Sequence, residues 1–523
     1  MSISFIKKII TLTGFAFSIL LNAQTLTATE IDALVENTLK SFNVPGIAVG
    51  VVKDGKLVHA KGYGVRSIET KEKVDENTLF GIASNSKAYT AAALGMLVDE
   101  KKINWDDKVR DYLPEFKLYD PFVTEEFTIR DLLCHRSGLG LGAGDLLMWP
   151  DSNKNTKTDI IHNLRYLKPV SSFRTKYDYN NNLFIVAGEV IAKVSGLTWE
   201  EFIEKKIMKP LKMNSSAACL SRLPNRSNVT KPHAVVDGSL QVVHIDWSET
   251  ANAAGGIYSN VTDLSKWVIA QLNKGKYGET ASEQLFTEKT QQEMWSMQTI
   301  TPVKNPGPYN THFAGYGLGW VLTDIKGYKQ VSHTGGLAGI VTQIILFPEL
   351  NLGIIVLTNQ QVGAAFVSIS NAIKDGYLGM PKRDWVKEYS ERINKMNEEA
   401  AKTCADIFKE VENQKKNKMA KPDLSLFAGN YTDNWFGKVI LTQKNNQLFF
   451  QSEKSPRMRG ELMYYKANTY VVKWFERAFD ADAFVEFKLD KTGKATGFKM
   501  EAFSPMTDFS FDFQDLDFNR SVN

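Results

Sequence analysis

A chain of 523 residues, 43% hydrophobic and 23% charged, can bury a large core, and its length calls for two or three domains. Its net charge is only +4, two of which sit on Lys7 and Lys8 in a segment expected to be removed, and this argues against nucleic acid or an anionic membrane as principal partner. Three distant cysteines, Cys134, Cys219 and Cys404, allow at most one disulfide and suggest neither a catalytic thiol nor a metal site.

Residues 1–23 read as a signal peptide. Lys7 and Lys8 form its positive region, Ile9 to Leu21 its short apolar core, and Asn22-Ala23-Gln24 a cleavage site. The apolar run is short for a bilayer span, so the expected location is periplasmic or secreted, with no stable membrane anchor after signal removal.

From Ile47 to Gly64 the pattern predicts two strands around an Asp54-Gly55 turn, with His59 as a strand residue. Phe80-Gly-Ile-Ala-Ser84-Asn-Ser-Lys87 then runs into an Ala-rich segment and predicts a strand-to-helix corner. Ser84 falls at the helix start, and Lys87 one turn on shares its face. Serine needs a neighbouring base to become a nucleophile, and a buried lysine of lowered pKa can be that base. Unpaired N–H groups at the helix start can help to hold an oxyanion. Ser-x-x-Lys alone is a weak signal, since it also occurs at Ser4–Lys7 in the export segment.

A mostly helical middle is expected over roughly 104–300. Within it Phe127 to Leu139 predicts a short helix ending at Gly138, and His135 and Ser137, two apart, do not face each other as a catalytic pair would. Strands return from Tyr316 to Leu357, including a hairpin around Glu349-Leu350-Asn351. Residues 381–422 read as a helical linker whose stripe of Trp385, Tyr389, Ile393, Met396 and Ala400 lies on a neighbour. Residues 423–523 turn all-β. Runs at Lys438, Gln447, Thr469, Ala483 and Phe509 to Phe513 predict short strands of a barrel of about eight.

Three stretches together resemble the penicillin-binding-protein and β-lactamase-like serine hydrolases: Ser84-Asn-Ser-Lys87, Tyr179-Asn-Asn181 and His333-Thr334-Gly335. The Tyr-x-Asn form resembles the branch of class C β-lactamases, D-aminopeptidases, D,D-peptidases and esterases. The resemblance implies an α/β fold class over 24–380: an antiparallel sheet built from both ends of the domain, flanked by helices, with an inserted helical lobe. The β-barrel after it resembles the lipocalin-like modules attached to some of these hydrolases, where it would cap the cleft or mediate assembly.

In such a hydrolase Ser84 would be acylated, Lys87 and Tyr179 would handle its proton, and Asn181, His333, Thr334 and Gly335 would bind substrate. The N–H groups of Ser84 and Gly336 would form the oxyanion hole, with Gly335 and Gly336 letting substrate approach the backbone. Tyr258-Ser-Asn260 also fits Tyr-x-Asn, but falls where relatives carry a structural turn. His333 stands where lactamases and carboxypeptidases of this type carry lysine; a histidine of ordinary pKa is mostly neutral at pH 7, which favours a D-aminopeptidase-like or esterase-like activity over β-lactam hydrolysis. No cofactor or metal is implied. The partner is a small peptide, ester or β-lactam, and the alternative is a non-hydrolytic penicillin-binding or sensor protein that keeps the fold.

Overall fold

The structure, a computed structural model, describes residues 25–416 and 422–521; the expected export signal lies outside them. An eight-stranded antiparallel sheet forms the first domain. Its order is Lys56–Gly64, Gly46–Lys53, Leu352–Thr358, Ile340–Phe347, Tyr328–Leu337, Val321–Ile325, Ala314–Tyr316 and Thr299–Thr301. Two strands from the start of the domain thus pair with six from its end, and the helical lobe lies between them in sequence. Asp54 and Gly55 both adopt positive φ (51° and 74°), the backbone a two-residue hairpin needs to match strand twist.

The central strands Gly46–Lys53 and Leu352–Thr358 are buried on both faces, which explains their continuous Val/Ile/Leu runs. One face is covered by helices Ala28–Ser41 and Gly363–Tyr377, through Ile31, Val35, Ile369 and Ile373. The other is covered by helix Val261–Leu272, through Val261, Leu264 and Val268. Helix Ser86–Asp99 is buried almost all round. Its run of alanines suits that position, since small side chains let neighbours approach its backbone from every side.

Gly429 to Arg520 contains a closed barrel of eight antiparallel strands. Its interior is filled by rings that contact one another, including Tyr431, Phe450, Tyr470, Phe487 and Phe498. Helix Trp385–Lys416 joins the two domains: Trp385 and Val386 pack on the sheet domain, and Ile407 and Val411 on Met463 and Val471 of the barrel. Met396, expected in its buried stripe, is 38% exposed, whereas Ala400 of the same stripe is buried.

Two expected elements are corrected. The helix after Phe127 is a single turn, Ile129–Leu132, because His135 takes a left-handed conformation (φ 56°) that helix cannot accommodate. Phe509 to Phe513 alternates like a strand but is a loop. The Asp508 carboxylate accepts the Ser510 N–H at 2.9 Å, which turns the chain locally, while Phe511 and Phe513 are buried. The closing strand is Phe518–Arg520 instead.

Candidate active site

Ser84 sits in a 3₁₀ turn, Ala83–Asn85, between the short strand Phe80–Gly81 and helix Ser86–Asp99. The corner is tight: Ala83 has φ 48°, an uncommon conformation for a residue with a side chain. It is held by Asn85, whose Nδ2 donates to Thr342 Oγ1 at 2.9 Å, and by Thr342 Oγ1 donating to the Ile82 carbonyl at 3.0 Å. Ser86 Oγ accepts the Ile257 N–H at 3.1 Å. The corner is thus anchored to the sheet on one side and the lobe on the other.

Lys87 is fully buried one turn below Ser84. Its Nζ lies 3.1 Å from Ser84 Oγ, 2.7 Å from Asn181 Oδ1 and 2.8 Å from the Ala254 carbonyl oxygen. Burial pushes the amine down to about 7, with Asp145 opposing the shift. The Tyr179 ring is centred 4.8 Å from Nζ, and its phenol hydrogen-bonds Ser84. Burial holds that phenol well above its ordinary range, so it keeps its proton at neutral pH.

Asn181 ends the loop before helix Asn182–Ser195. The resemblance gave it a hydrogen bond to substrate, but here both ends of its amide are engaged: Oδ1 accepts from Lys87, and Nδ2 donates to Asp145 Oδ2 at 2.9 Å.

His333 is buried on strand Tyr328–Leu337, while Thr334 and Gly336 on the same strand are exposed. The Thr334 carbonyl, 2.6 Å from Nδ1, can only accept, so Nδ1 carries the proton and Nε2 accepts the Tyr316 hydroxyl at 2.8 Å. Burial, with the Lys87 charge, pushes the imidazole down to about 3, so it is neutral well below the pH an ordinary histidine would require. A Cβ on Gly335 would lie 2.2 Å from the Ile82 carbonyl oxygen, whereas one on Gly336 would meet nothing within 4 Å. Close approach of the corner that carries Ser84, not of substrate, therefore requires glycine at 335; of the two glycines, Gly336 alone faces open cleft.

The remaining motif residues fall elsewhere. Tyr258 pairs with the Phe80–Gly81 strand, and Asn260 caps helix Val261–Leu272 by accepting the Asp263 N–H at 2.8 Å. His135 lies beneath Tyr179, ring centres 4.2 Å apart, with Nδ1 accepting the Asn180 N–H. Ser137 Oγ accepts the Leu139 N–H in a turn.

Sequence reasoning missed Asp145, Tyr316 and the barrel residues that border the site. The cleft, of about 630 Å³, is lined by Ser84, Tyr179, His333 and Gly336 together with Arg457, Phe479, Met506, Asp508, Phe509 and Ser510 from the barrel. The Phe509 ring lies edge-on to Tyr179 at 5.9 Å, Ser510 Oγ donates to Asp145 Oδ2 at 3.0 Å, and the Asp512 carboxylate accepts the N–H groups of Gly144 and Leu146. The misread aromatic alternation at 509–513 was the one local sign of this segment.

The beta-lactamase family model matches residues 31–375, and a domain of unknown function (DUF3471) matches residues 413–520. The unguisins hydrolase ungD of Aspergillus violaceofuscus is 27% identical over 429 residues, 78% of this chain and 75% of that protein. Protein flp of Staphylococcus aureus (strain MW2) is 26% identical over 342 residues, 63% of this chain and 62% of that one. The octameric penicillin-binding protein homologue from Pyrococcus abyssi superimposes with a TM-score of 0.61 over 92% of this chain and 99% of that one; at 22% identity the likeness is one of fold.

Proposed function

The chain belongs to the beta-lactamase family of serine hydrolases, and on that premise we propose that it is an exported enzyme cleaving amide or ester bonds in small, largely apolar substrates through an acyl-Ser84 intermediate. The observation that carries this reading is the setting of Lys87. Two carbonyl oxygens, of Asn181 and Ala254, take two protons of its amine, so the neutral amine turns its lone pair to Ser84 Oγ. With the amine near 7 and the Tyr179 phenol far higher, Lys87 is the base.

Ser84 Oγ bonds to the substrate carbonyl carbon as its proton passes to Lys87 Nζ. The developing oxyanion is held by the N–H groups of Ser84 and Gly336, each such donor being worth about 3–4 kcal/mol in a transition state. Collapse breaks the C–N or C–O bond, the leaving group taking a proton through the Tyr179 hydroxyl, which Lys87 replenishes. Water then hydrolyses the acyl ester by the same groups in reverse.

Two features favour a D-aminopeptidase-like or esterase-like substrate over a β-lactam. Neutral His333 offers no fixed cation for a substrate carboxylate, and Arg457 at the cleft is held by Asp246 and Glu476, each at 3.0 Å. Leu141, Trp149, Trp247 and Phe366 give the walls an apolar character. Export rests on the Lys7 to Leu21 pattern and is tested by N-terminal sequencing of the mature protein, expected to begin at Gln24.

The enzymatic reading is tested with p-nitrophenyl esters, D-amino-acid anilides and nitrocefin, alongside a fluorophosphonate probe. Turnover of ester or anilide, lost by roughly a thousandfold or more in Ser84→Ala, is expected. Stoichiometric, permanent labelling of Ser84 without turnover would make the protein a ligand-trapping relative instead.

A further inference from the structure

We propose that the barrel domain supplies a positioning residue to the catalytic centre: Ser510, acting through Asp145 and Asn181, sets the protonation of the Lys87 amine. The inference rests on the hydrolase reading above and assigns a role in it to a domain that contributes neither nucleophile nor base.

The chain of contacts is continuous. Ser510 Oγ donates to Asp145 Oδ2 at 3.0 Å, Asn181 Nδ2 donates to the same oxygen at 2.9 Å, Asn181 Oδ1 accepts from Lys87 Nζ at 2.7 Å, and Nζ meets Ser84 Oγ at 3.1 Å. Ser510 and Asp145 lie 365 positions apart in the chain. Their meeting is built rather than incidental. The Asp512 carboxylate, two residues beyond Ser510, accepts the N–H groups of Gly144 (2.6 Å) and Leu146 (3.2 Å), on either side of Asp145. A Cβ on Gly142 would lie 2.6 Å from the Phe509 carbonyl oxygen, so the two loops touch along their backbones.

The direction of the effect follows from which species each contact favours. A hydroxyl donated to a carboxylate stabilises its ionised form, and an ionised Asp145 stabilises protonated Lys87. Burial opposes ionisation of Asp145 and pushes its carboxyl up to about 7, and Asp508 pushes the same way. Asp512 faces it from the barrel loop, raised by burial and by Asp145 itself. On the other side of Lys87 stand Tyr179, His135 and His333, all uncharged at neutral pH. Asp145 is therefore the group whose charge decides that of Lys87, and Ser510 biases Asp145.

The test is the pH–rate profile of the full-length protein on a soluble p-nitrophenyl ester, for the parent, Ser510→Ala, Ser510→Thr, Asp145→Asn and the Asp145→Asn/Ser510→Ala double variant. Loss of the Ser510 hydroxyl leaves Asp145 less ionised and lowers the Lys87 pKa, so the acid limb of kcat moves to lower pH. The expected displacement is about one pH unit in Asp145→Asn and roughly half that in Ser510→Ala. Ser510→Thr, which keeps the hydroxyl, retains the parental limb. The double variant moves no further than Asp145→Asn, because Ser510 acts only through that carboxylate. An acid limb in Ser510→Ala superimposable on the parent's, or additive shifts in the double variant, overturns the relay while leaving the hydrolase reading intact. A parent protein that is never acylated at Ser84 defeats that reading itself.

Discussion

At the scale of single residues, the site depends on removing a cation and an imidazole from water. Lys87 is held down near 7, so turnover has an acid limb with an apparent pKa of about 7: activity falls as the amine is protonated and levels off above that value. Stopped assays from pH 5 to 9 measure it directly, and a limb near the ordinary carboxylate range would remove Lys87 from the role of base. The same displacement acts on stability. A lysine whose folded pKa lies below its unfolded value of 10.5 favours the fold most above pH 10.5, and that contribution is lost as pH falls toward 7. His333 behaves differently. Held at about 3, it carries no charge change anywhere in the working range. His333→Gln is therefore expected to alter kcat/KM through the lost contact with Tyr316 while leaving the acid limb of the pH profile in place. A limb that disappears in this variant would show that the imidazole titrates during turnover.

At the scale of elements, the corner carrying Ser84 and the strand carrying Gly336 must meet at backbone distance. Gly335→Ala places a methyl 2.2 Å from the Ile82 carbonyl oxygen, so strand or corner has to give way. A loss of about 1–3 kcal/mol in stability is expected, with a larger fractional loss of activity because the displaced atoms adjoin Ser84, the proposed nucleophile. Gly336→Ala meets nothing within 4 Å in the protein. Its melting temperature is expected to stay at the parental value, with any cost confined to KM for bulky substrates. Thermal denaturation and kinetics of the pair separate packing from substrate access, and equal destabilisation by both would refute the distinction. Much at this scale is legible in sequence. The Asp54-Gly55 hairpin, helix Asn182–Ser195 with its left-handed Gly196 stop, and the Ser84–Lys87 spacing are all local. Phe509 to Phe513 misleads because alternation reports which side chains are buried, and a loop wedged between two domains buries alternate residues as well as a strand does.

At the scale of the molecule, the barrel is docked on the 141–163 region by contacts from several of its elements. The Lys154 N–H donates to the Lys454 carbonyl at 2.8 Å, Asn153 Nδ2 to Ser455 Oγ at 2.7 Å, and Asn163 Nδ2 to the Trp435 carbonyl at 3.0 Å. Arg457 pairs with Asp246 across the same boundary. Asp512 completes the set, and burial beside Asp145 holds its carboxyl well above its ordinary 3.8. A carboxyl so raised favours the fold most below pH 3.8, and that contribution is lost as pH rises through the range above it. Asp512→Asn removes this titration. The melting temperature of the parent relative to Asp512→Asn is therefore expected to fall as pH rises above 3.8, as scanning fluorimetry over a pH series would show; a difference independent of pH would mean that Asp512 is ionised throughout.

Two kinds of information are separable in this protein. The Ser84–Lys87 spacing, the Asp54-Gly55 hairpin and the short strands of the terminal barrel are written locally, because helical and strand periodicities place residues three or four apart, or on alternate positions, whatever the rest of the chain does, whereas the second and third motifs and the two-ended sheet are legible only through the family resemblance. Asp145, Tyr316 and Ser510 carry no such mark. Each becomes significant only when packing brings it beside a group far away in the chain and excludes the water that would otherwise screen the two from each other.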